Sequence, residues 1–269
     1  VIVTRSPALI RRERPGLIRS VGESRFGRVL DRPRRVSLGD PFWNKVVLLA
    51  HMDGDDGSTT FVDKKKHALT ANGNAQIDTA QFKFGGAAAL FDGTGDFITT
   101  PDSADWHFGN KDFTIEFWLR FNSTINQLAW LVGQMEGNAN RWGLYWNWNN
   151  TLTEGTGPTF IARENSVTLV NFSQGALTGW AIDTWYHVAC VRKGDDFRIY
   201  RDGDAVASAT DGDAMPDLAP PLYIGGEDSN VYVVNGTYLN GWIDEMRITK
   251  GVARYGGDFT PPAAAFPDA

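Results

Sequence analysis

The chain has 269 residues, 42% of them hydrophobic, with ten Trp, 29 Gly and one Cys. That is enough apolar material for a sizeable core, while the lone Cys190 excludes an internal disulfide framework and a cysteine-built zinc site. No run reaches membrane-spanning length and no signal-peptide pattern opens the chain, whose start at Val1 suggests a processed or trimmed product.

The net charge of −6 divides unevenly. Residues 1–40 carry ten Arg, no Lys and four acidic residues, hence +6; residues 41–269 carry sixteen basic and twenty-eight acidic residues, hence −12. Pro7, Pro15 and Pro33 break the basic segment, and its apolar residues are scattered. Alone it could not offset its own ordering entropy, so it reads either as a solvated tail or as an extended arm ordered on an acidic partner, and its Arg-only usage favours the arm. Guanidinium suits planar bidentate contacts. Arg5, Arg11, Arg12, Arg14, Arg19, Arg25, Arg28, Arg32, Arg34 and Arg35 are therefore expected to lie on an acidic partner. Nucleic acid is the weaker reading, because neither aromatic interleaving nor a recognised motif is present.

From residue 41 the pattern is short strands and turns. Val46–Met52 is a buried strand followed by the acidic loop Asp53–Ser58. Ala87–Phe91 and Phe97–Thr100 flank Asp92-Gly93-Thr94-Gly95-Asp96, which is turn chemistry for a hairpin. Phe113–Phe121 alternates strictly, with Phe113, Ile115, Phe117, Leu119 and Phe121 on one face and Thr114, Glu116, Trp118 and Arg120 on the other. Residues 129–134 and 141–148 are strands, and Trp142, Leu144, Trp146 and Trp148 share a face that reads as core. Residues 158–163 with 167–172 form a hairpin, and 185–192, 197–200 and 205–209 form a meander through two tight turns. In Gly241–Thr249 uninterrupted alternation is expected, with Trp242, Asp244, Met246 and Ile248 on one face. This strand is predicted to lie beside Val46–Met52, and a short helical turn at Arg254-Tyr255 to follow it. Roughly a dozen strands at this spacing indicate an all-β, two-sheet antiparallel sandwich.

Five motifs in order carry a resemblance: Leu48–Gly54, Ala89–Ile98, Asp112–Trp118, Trp185–Arg192 and Gly241–Ile248. Together they resemble the laminin-G-like branch of the concanavalin A-like lectin/glucanase superfamily, which implies a jelly roll over residues 41–269 behind the basic arm of residues 1–40. The ending Arg247–Tyr255 with Phe259-Thr260-Pro261-Pro262 is similar to such domains in structural proteins of tailed bacteriophages. The resemblance implies a non-enzymatic virion protein, most simply a capsid decoration protein. Its arm would hold capsid or tail subunits, and its jelly roll would face host or environmental glycans on the virion surface. The alternatives are a tail- or fibre-associated adhesin, a secreted or cell-surface carbohydrate-binding module, and a glycoside hydrolase. No membrane partner is expected. A homo-oligomer suits an exposed module of this size, although no residue argues for one.

Glycoside hydrolysis needs two carboxylates facing one bond, about 5–5.5 Å apart for retention. Glucanases of this superfamily carry them at alternate positions of one strand. Here Glu116 stands alone on its strand and Asp244 and Glu245 point to opposite faces, so no catalytic residue is assigned. None of His51, His67, His107 and His187 has zinc-ligand spacing. No cofactor is required. A structural Ca2+ held by Asp53, Asp92, Asp96 and Asp244 is the metal expectation, because hard cations prefer several oxygens; the bland reading is that these aspartates only shape turns. For glycans, Trp118, Arg120, Tyr145, Asn147, Arg198 and Tyr200 are opposite in parity to the core and are expected to make one polar-aromatic concave face.

Overall fold

The computed structural model describes residues 39–148, 155–228 and 237–269. The ten arginines of the basic arm lie outside these residues. No helix among the described residues is long and apolar enough to cross a membrane.

A 3-10 turn at Trp43–Lys45 leads into β1 (Val46–Ala50). There follow β2 (Thr70–Asn72), β3 (Gln76–Asp78), β4 (Ala88–Asp92), β5 (Phe97–Thr100), β6 (Phe113–Phe121), β7 (Leu128–Met135) and β8 (Arg141–Asn147). The second half supplies β9 (Gly157–Glu164), β10 (Val167–Ser173), β11 (Trp185–Lys193), β12 (Asp196–Arg201), β13 (Asp204–Thr210), β14 (Leu222–Ile224) and β15 (Asn240–Lys250). The first sheet runs β13-β12-β11-β6-β15-β4-β3, with β1 also paired to β15; the second runs β10-β9-β8-β7-β14-β5-β2. This is the two-sheet antiparallel jelly-roll sandwich.

The strand period builds the core directly. Phe113, Ile115, Phe117, Leu119 and Phe121 of β6 meet Trp142, Leu144 and Trp146 of β8 in one buried cluster with Phe160, Val188 and Ile199. Trp148 falls beyond β8 and is 38% exposed, so the tryptophan stripe stops one residue short of the expectation.

Three local expectations are corrected. Residues 88–100 are not a hairpin: β4 belongs to the first sheet and β5 to the second. The Asp92–Asp96 turn is a corner between sheets, held by Asp96, whose carboxylate accepts the N–H groups of Asp92 and Asn74. The alternation of β15 is interrupted. Its ladder with β6 shifts between Asp244 and Arg247, and Glu245 sits at φ +53°. A bulge inserts one residue and reverses which face later side chains take. Thus Ile243 faces the core before it, and Met246 and Ile248 after it. The bulge also lets one strand serve two partners, β4 through Asn240–Ile243 and β1 through Met246–Thr249. The expected neighbour of the closing strand is present in β1. Finally, no helical turn follows at Arg254-Tyr255; residues 251–269 form an irregular strap over the outer face of the first sheet.

Candidate functional site

The strap covers a polar interior. Glu116 on β6, His187 on β11 and Arg247 on β15 are neighbours because β6 lies between the other two strands. All three are buried. Arg247 donates to Glu116 Oε1 from Nε at 3.0 Å and Nη2 at 2.8 Å. Tyr255 Oη donates to Glu116 Oε2 at 2.6 Å, and His187 Nε2 donates to the same oxygen at 3.2 Å. Asp40 accepts from Arg254 through both carboxylate oxygens and from Arg247 at 3.0 Å, so the last residue of the basic segment is built into the folded domain. Burial alone would raise the Glu116 pKa, but Arg247, His187 and Tyr255 hold it at about 2. Every Glu116 oxygen is therefore engaged, which is the arrangement of a structural anion rather than of a general acid. At the strap's end, both ring nitrogens of His51 donate to carboxylates, Glu245 and Asp268. The Glu245 bond pushes the His51 pKa up to about 9 against the effect of burial.

Beside this anchored region the sheet is open. A hollow of about 230 Å³ lies over β11 and β12, lined by Val191, Lys193, Asp196, Arg198 and Tyr200 and walled by Tyr255 and Gly256 of the strap. A second hollow of about 360 Å³ shares Asp196 and Arg198 with it and runs onto β13 at Ser208 and Thr210. Asp196, Arg198 and Tyr200 alternate along β12, which places them all on the outer face. Tyr255 stacks on Phe259 with ring centroids 3.5 Å apart and planes 5° from parallel. Phe259 is pinned in turn: its N–H donates to the Gly203 carbonyl, and a Cβ at Gly203, where φ is +90°, would overlap the Phe259 carbonyl. The hollows thus have a rigid aromatic wall, a polar floor and an open top. One carboxylate, Asp196, lines them, and it accepts from Thr210 Oγ1 at 3.0 Å.

The six residues expected to make one glycan face do not do so. Trp118, Arg120, Arg198 and Tyr200 lie on the first sheet, Tyr145 and Asn147 on the second. Trp118 is covered by the 83–84 loop, with Lys83 Nζ 4.0 Å from its ring and Phe84 edge-on at 5.7 Å. Arg120 is drawn to Asp183 and Gln81. Tyr145 lies buried and parallel to Trp130, and Asn147 is buried and donates to the Gly155 carbonyl. Only Arg198 and Tyr200 reach the open hollows. Lys193, Asp196 and Tyr255 are the residues that parity alone missed; the meander turn at Lys193–Asp196 was the available signal.

The four aspartates divide as well. Asp92 and Asp96 stay together at the corner between sheets. Asp244 lies beside Asp53 at the other end of β4, where the 83–87 turn wraps both. The N–H groups of Lys83 and Phe84 donate to Asp244 Oδ2, and Gly85 is pressed on the Asp53 carboxylate. Burial pushes the Asp244 pKa up to about 7, with Glu245 and Asp53 adding to the effect. Its Oδ1 is buried without a hydrogen bond. That orphan oxygen beside a second carboxylate has the donor chemistry of a hard-cation site; the four-aspartate set does not. Among the described residues no three His, Cys, Asp or Glu side chains converge to hold a metal ion.

Comparison with known proteins agrees with this architecture. A laminin-G-type family model, described as the Concanavalin A-like lectin/glucanases superfamily, matches residues 92–253. No curated protein matches the chain in sequence. Among solved structures, Domain 4 of AbnA, a GH43 extracellular arabinanase from Geobacillus stearothermophilus in complex with arabinotriose, is 17% identical with a TM-score of 0.57, over 78% of this chain and 94% of that one. The binding domain of Paraclostridial Mosquitocidal Protein 1 is 16% identical with a TM-score of 0.55, over 78% and 50%. The binding domain of Botulinum Neurotoxin DC, in complex with SialylT, is 14% identical with a TM-score of 0.51, over 78% and 49%. The chain spans about half the length of the two toxin binding domains. With the family model covering more than half of its residues, the chain belongs to the concanavalin A-like lectin/glucanases superfamily.

Proposed function

We propose that this domain is a non-catalytic glycan-binding module whose binding surface is the pair of hollows over β11, β12 and β13. The observation that carries the reading is the open groove itself: a fixed Tyr255 wall beside the floor groups of Asp196, Arg198, Tyr200, Ser208 and Thr210. Sugars present alternating apolar ring faces and hydroxyl edges, so a pyranose can stack on one and hydrogen-bond to the other. Two structural neighbours of the same fold were solved with saccharides, arabinotriose and SialylT, which supports this reading. Binding is favoured over hydrolysis because the usual mechanism needs two carboxylates flanking the bond, and Asp196 is the one carboxylate lining the groove. A glycan array tests it. The protein should bind a defined set of saccharides, and Tyr255→Ala should weaken that binding at least tenfold. Failure to bind any glycan would reject the reading.

A second reading concerns setting. The +6 charge of residues 1–40 beside the −12 of the remainder favours an anchored module, with the arm on acidic subunits and the jelly roll displayed. With the phage-like ending, this supports placement on a tailed-phage particle, as decoration or tail protein. The module also carries a structural calcium ion, held by Asp53 and Asp244. The buried Oδ1 of Asp244 supports this, and backbone carbonyls and water would complete the oxygen shell.

A further inference from the structure

The groove's charges are unlike those of the domain around it. Residues 41–269 sum to −12, yet two cations stand together in the first hollow, Lys193 at the end of β11 and Arg198 on β12. Neither is in a salt bridge with a carboxylate among the described residues. By contrast, Lys64 is paired with Asp268 and Arg254 with Asp40. The Arg198 guanidinium lies against the Tyr200 hydroxyl and reaches the Gly256 carbonyl from Nη1 at 3.5 Å. The Asp196 carboxylate accepts from the Thr210 hydroxyl and, with Asp258, acts on Arg198 from a distance, so the lining itself, Lys193 and Arg198 against Asp196, keeps a surplus of one positive charge. Below them Tyr200 is fully buried, and its hydroxyl lies against the Arg198 guanidinium, with no further hydrogen-bond partner among the described residues. Two cations outside any ion pair, above a buried hydroxyl and beside an aromatic wall, describe a site for a negatively charged group attached to a ring.

We propose that the ligand of this groove is an anionic saccharide, bound by its carboxylate or sulfate ester through Arg198, Lys193 and the Tyr200 hydroxyl, with the sugar ring on Tyr255. The proposal rests on the glycan-binding reading of the same groove. Arg198 supplies the planar donor fork that suits either oxyanion, and Lys193 adds a point charge from the rim. The Tyr200 hydroxyl supplies a further neutral donor from below. Carboxylate and sulfate sources share this chemistry, so the test must separate them.

The test measures the full chain against matched glycans by calorimetry and on an array. The pairs are an oligogalacturonate and its methyl ester, sialyllactose and lactose, and a sulfated glycosaminoglycan disaccharide and its desulfated form. At least one acidic member should bind tenfold or more tightly than its neutral twin, and raising salt should erode that preference. The pair that discriminates identifies carboxylate or sulfate. Lys193→Gln with Arg198→Gln should abolish the preference without changing the thermal midpoint, since Lys193 is exposed and Arg198 half-buried. Arg198→Lys, which keeps the charge and loses the fork, should retain part of it. Equal binding of acidic and neutral twins would overturn the anionic ligand while leaving the lectin reading intact. Acidic preference that survives in the double variant would place the anion elsewhere and also overturn it. Absence of all binding would overturn both.

Discussion

Glu116 shows how a buried charge is made tolerable. It accepts from Arg247, His187 and Tyr255, and Arg247 also reaches Asp40. Breaking such a network from one side leaves unpaired charge in the interior, which costs about 3–5 kcal/mol. Arg247→Met should therefore lower the unfolding free energy by about that much in urea titrations; a loss under about 1 kcal/mol would show the network to be dispensable. The pKa of about 2 sets the pH window. A depressed carboxyl stabilises the fold above its unfolded pKa, and that contribution disappears as pH falls towards 2. Glu227 runs the other way. Burial raises its pKa to about 7, although Thr237 and Arg141 oppose the shift. Between its ordinary value and 7 the folded state keeps a proton that the unfolded state releases, so stability declines as pH rises through that window. Glu227→Gln should remove up to about 3 kcal/mol of this pH dependence; identical stability–pH curves for variant and parent would contradict the assignment.

At the scale of elements, β15 with its bulge and the strap after it organise the first sheet. The bulge puts Arg247 on the outer face opposite Glu116 and leaves Glu245 to hold His51 and the Phe266 N–H. Phe266, buried under the Arg247 guanidinium at 3.8 Å, anchors the strap. Phe266→Ala should cost about 3–5 kcal/mol, and because the strap walls the groove it should weaken glycan binding as well. The 83–87 turn over Asp53 and Asp244 is the element that calcium would hold. Calcium at a hundredfold excess over its Kd should add about 2.7 kcal/mol of stability, removable with a chelator and absent in Asp244→Asn; an unchanged melting temperature on chelation would exclude the ion. Strands whose period and turns are local were legible from residues alone, as β6, β8 and the β11–β13 meander show. Partnership across the sheets was not. Asp92-Gly93-Thr94-Gly95-Asp96 has the composition of a hairpin turn and of a corner alike, and only long-range packing decides between them. Nor does alternation reveal a bulge, which is why Met246 and Ile248 were assigned the face of Asp244. The candidate site was half legible for a related reason: parity identifies an outward side chain such as Tyr145 or Trp118 but not whether a distant loop covers it.

At the scale of the molecule, Asp40 and the 251–269 strap seal one part of the outer face of the first sheet, the 83–84 loop covers another, and the face over β11 to β13 is left open. Asp40 is part of the seal, so a truncation that removes it breaks its bonds to Arg247 and Arg254. A protein comprising residues 39–269 should melt at the temperature of the full chain and, in the virion reading, should no longer join the particle. Residues 41–269, lacking Asp40, should be less stable by about 3 kcal/mol or more, since Arg247 and Arg254 lose a shared buried carboxylate. Equal stability of the two truncations would show that the seal does not depend on Asp40. The central claim, glycan recognition on the first sheet, is tested most directly by mapping amide chemical-shift changes with the saccharide that binds best. The account predicts that the changes centre on Lys193, Arg198, Tyr200 and Gly256, with Ser208 and Thr210 at the margin. Changes centred instead on the outer face of the second sheet, around Trp130 and Tyr145, would contradict it.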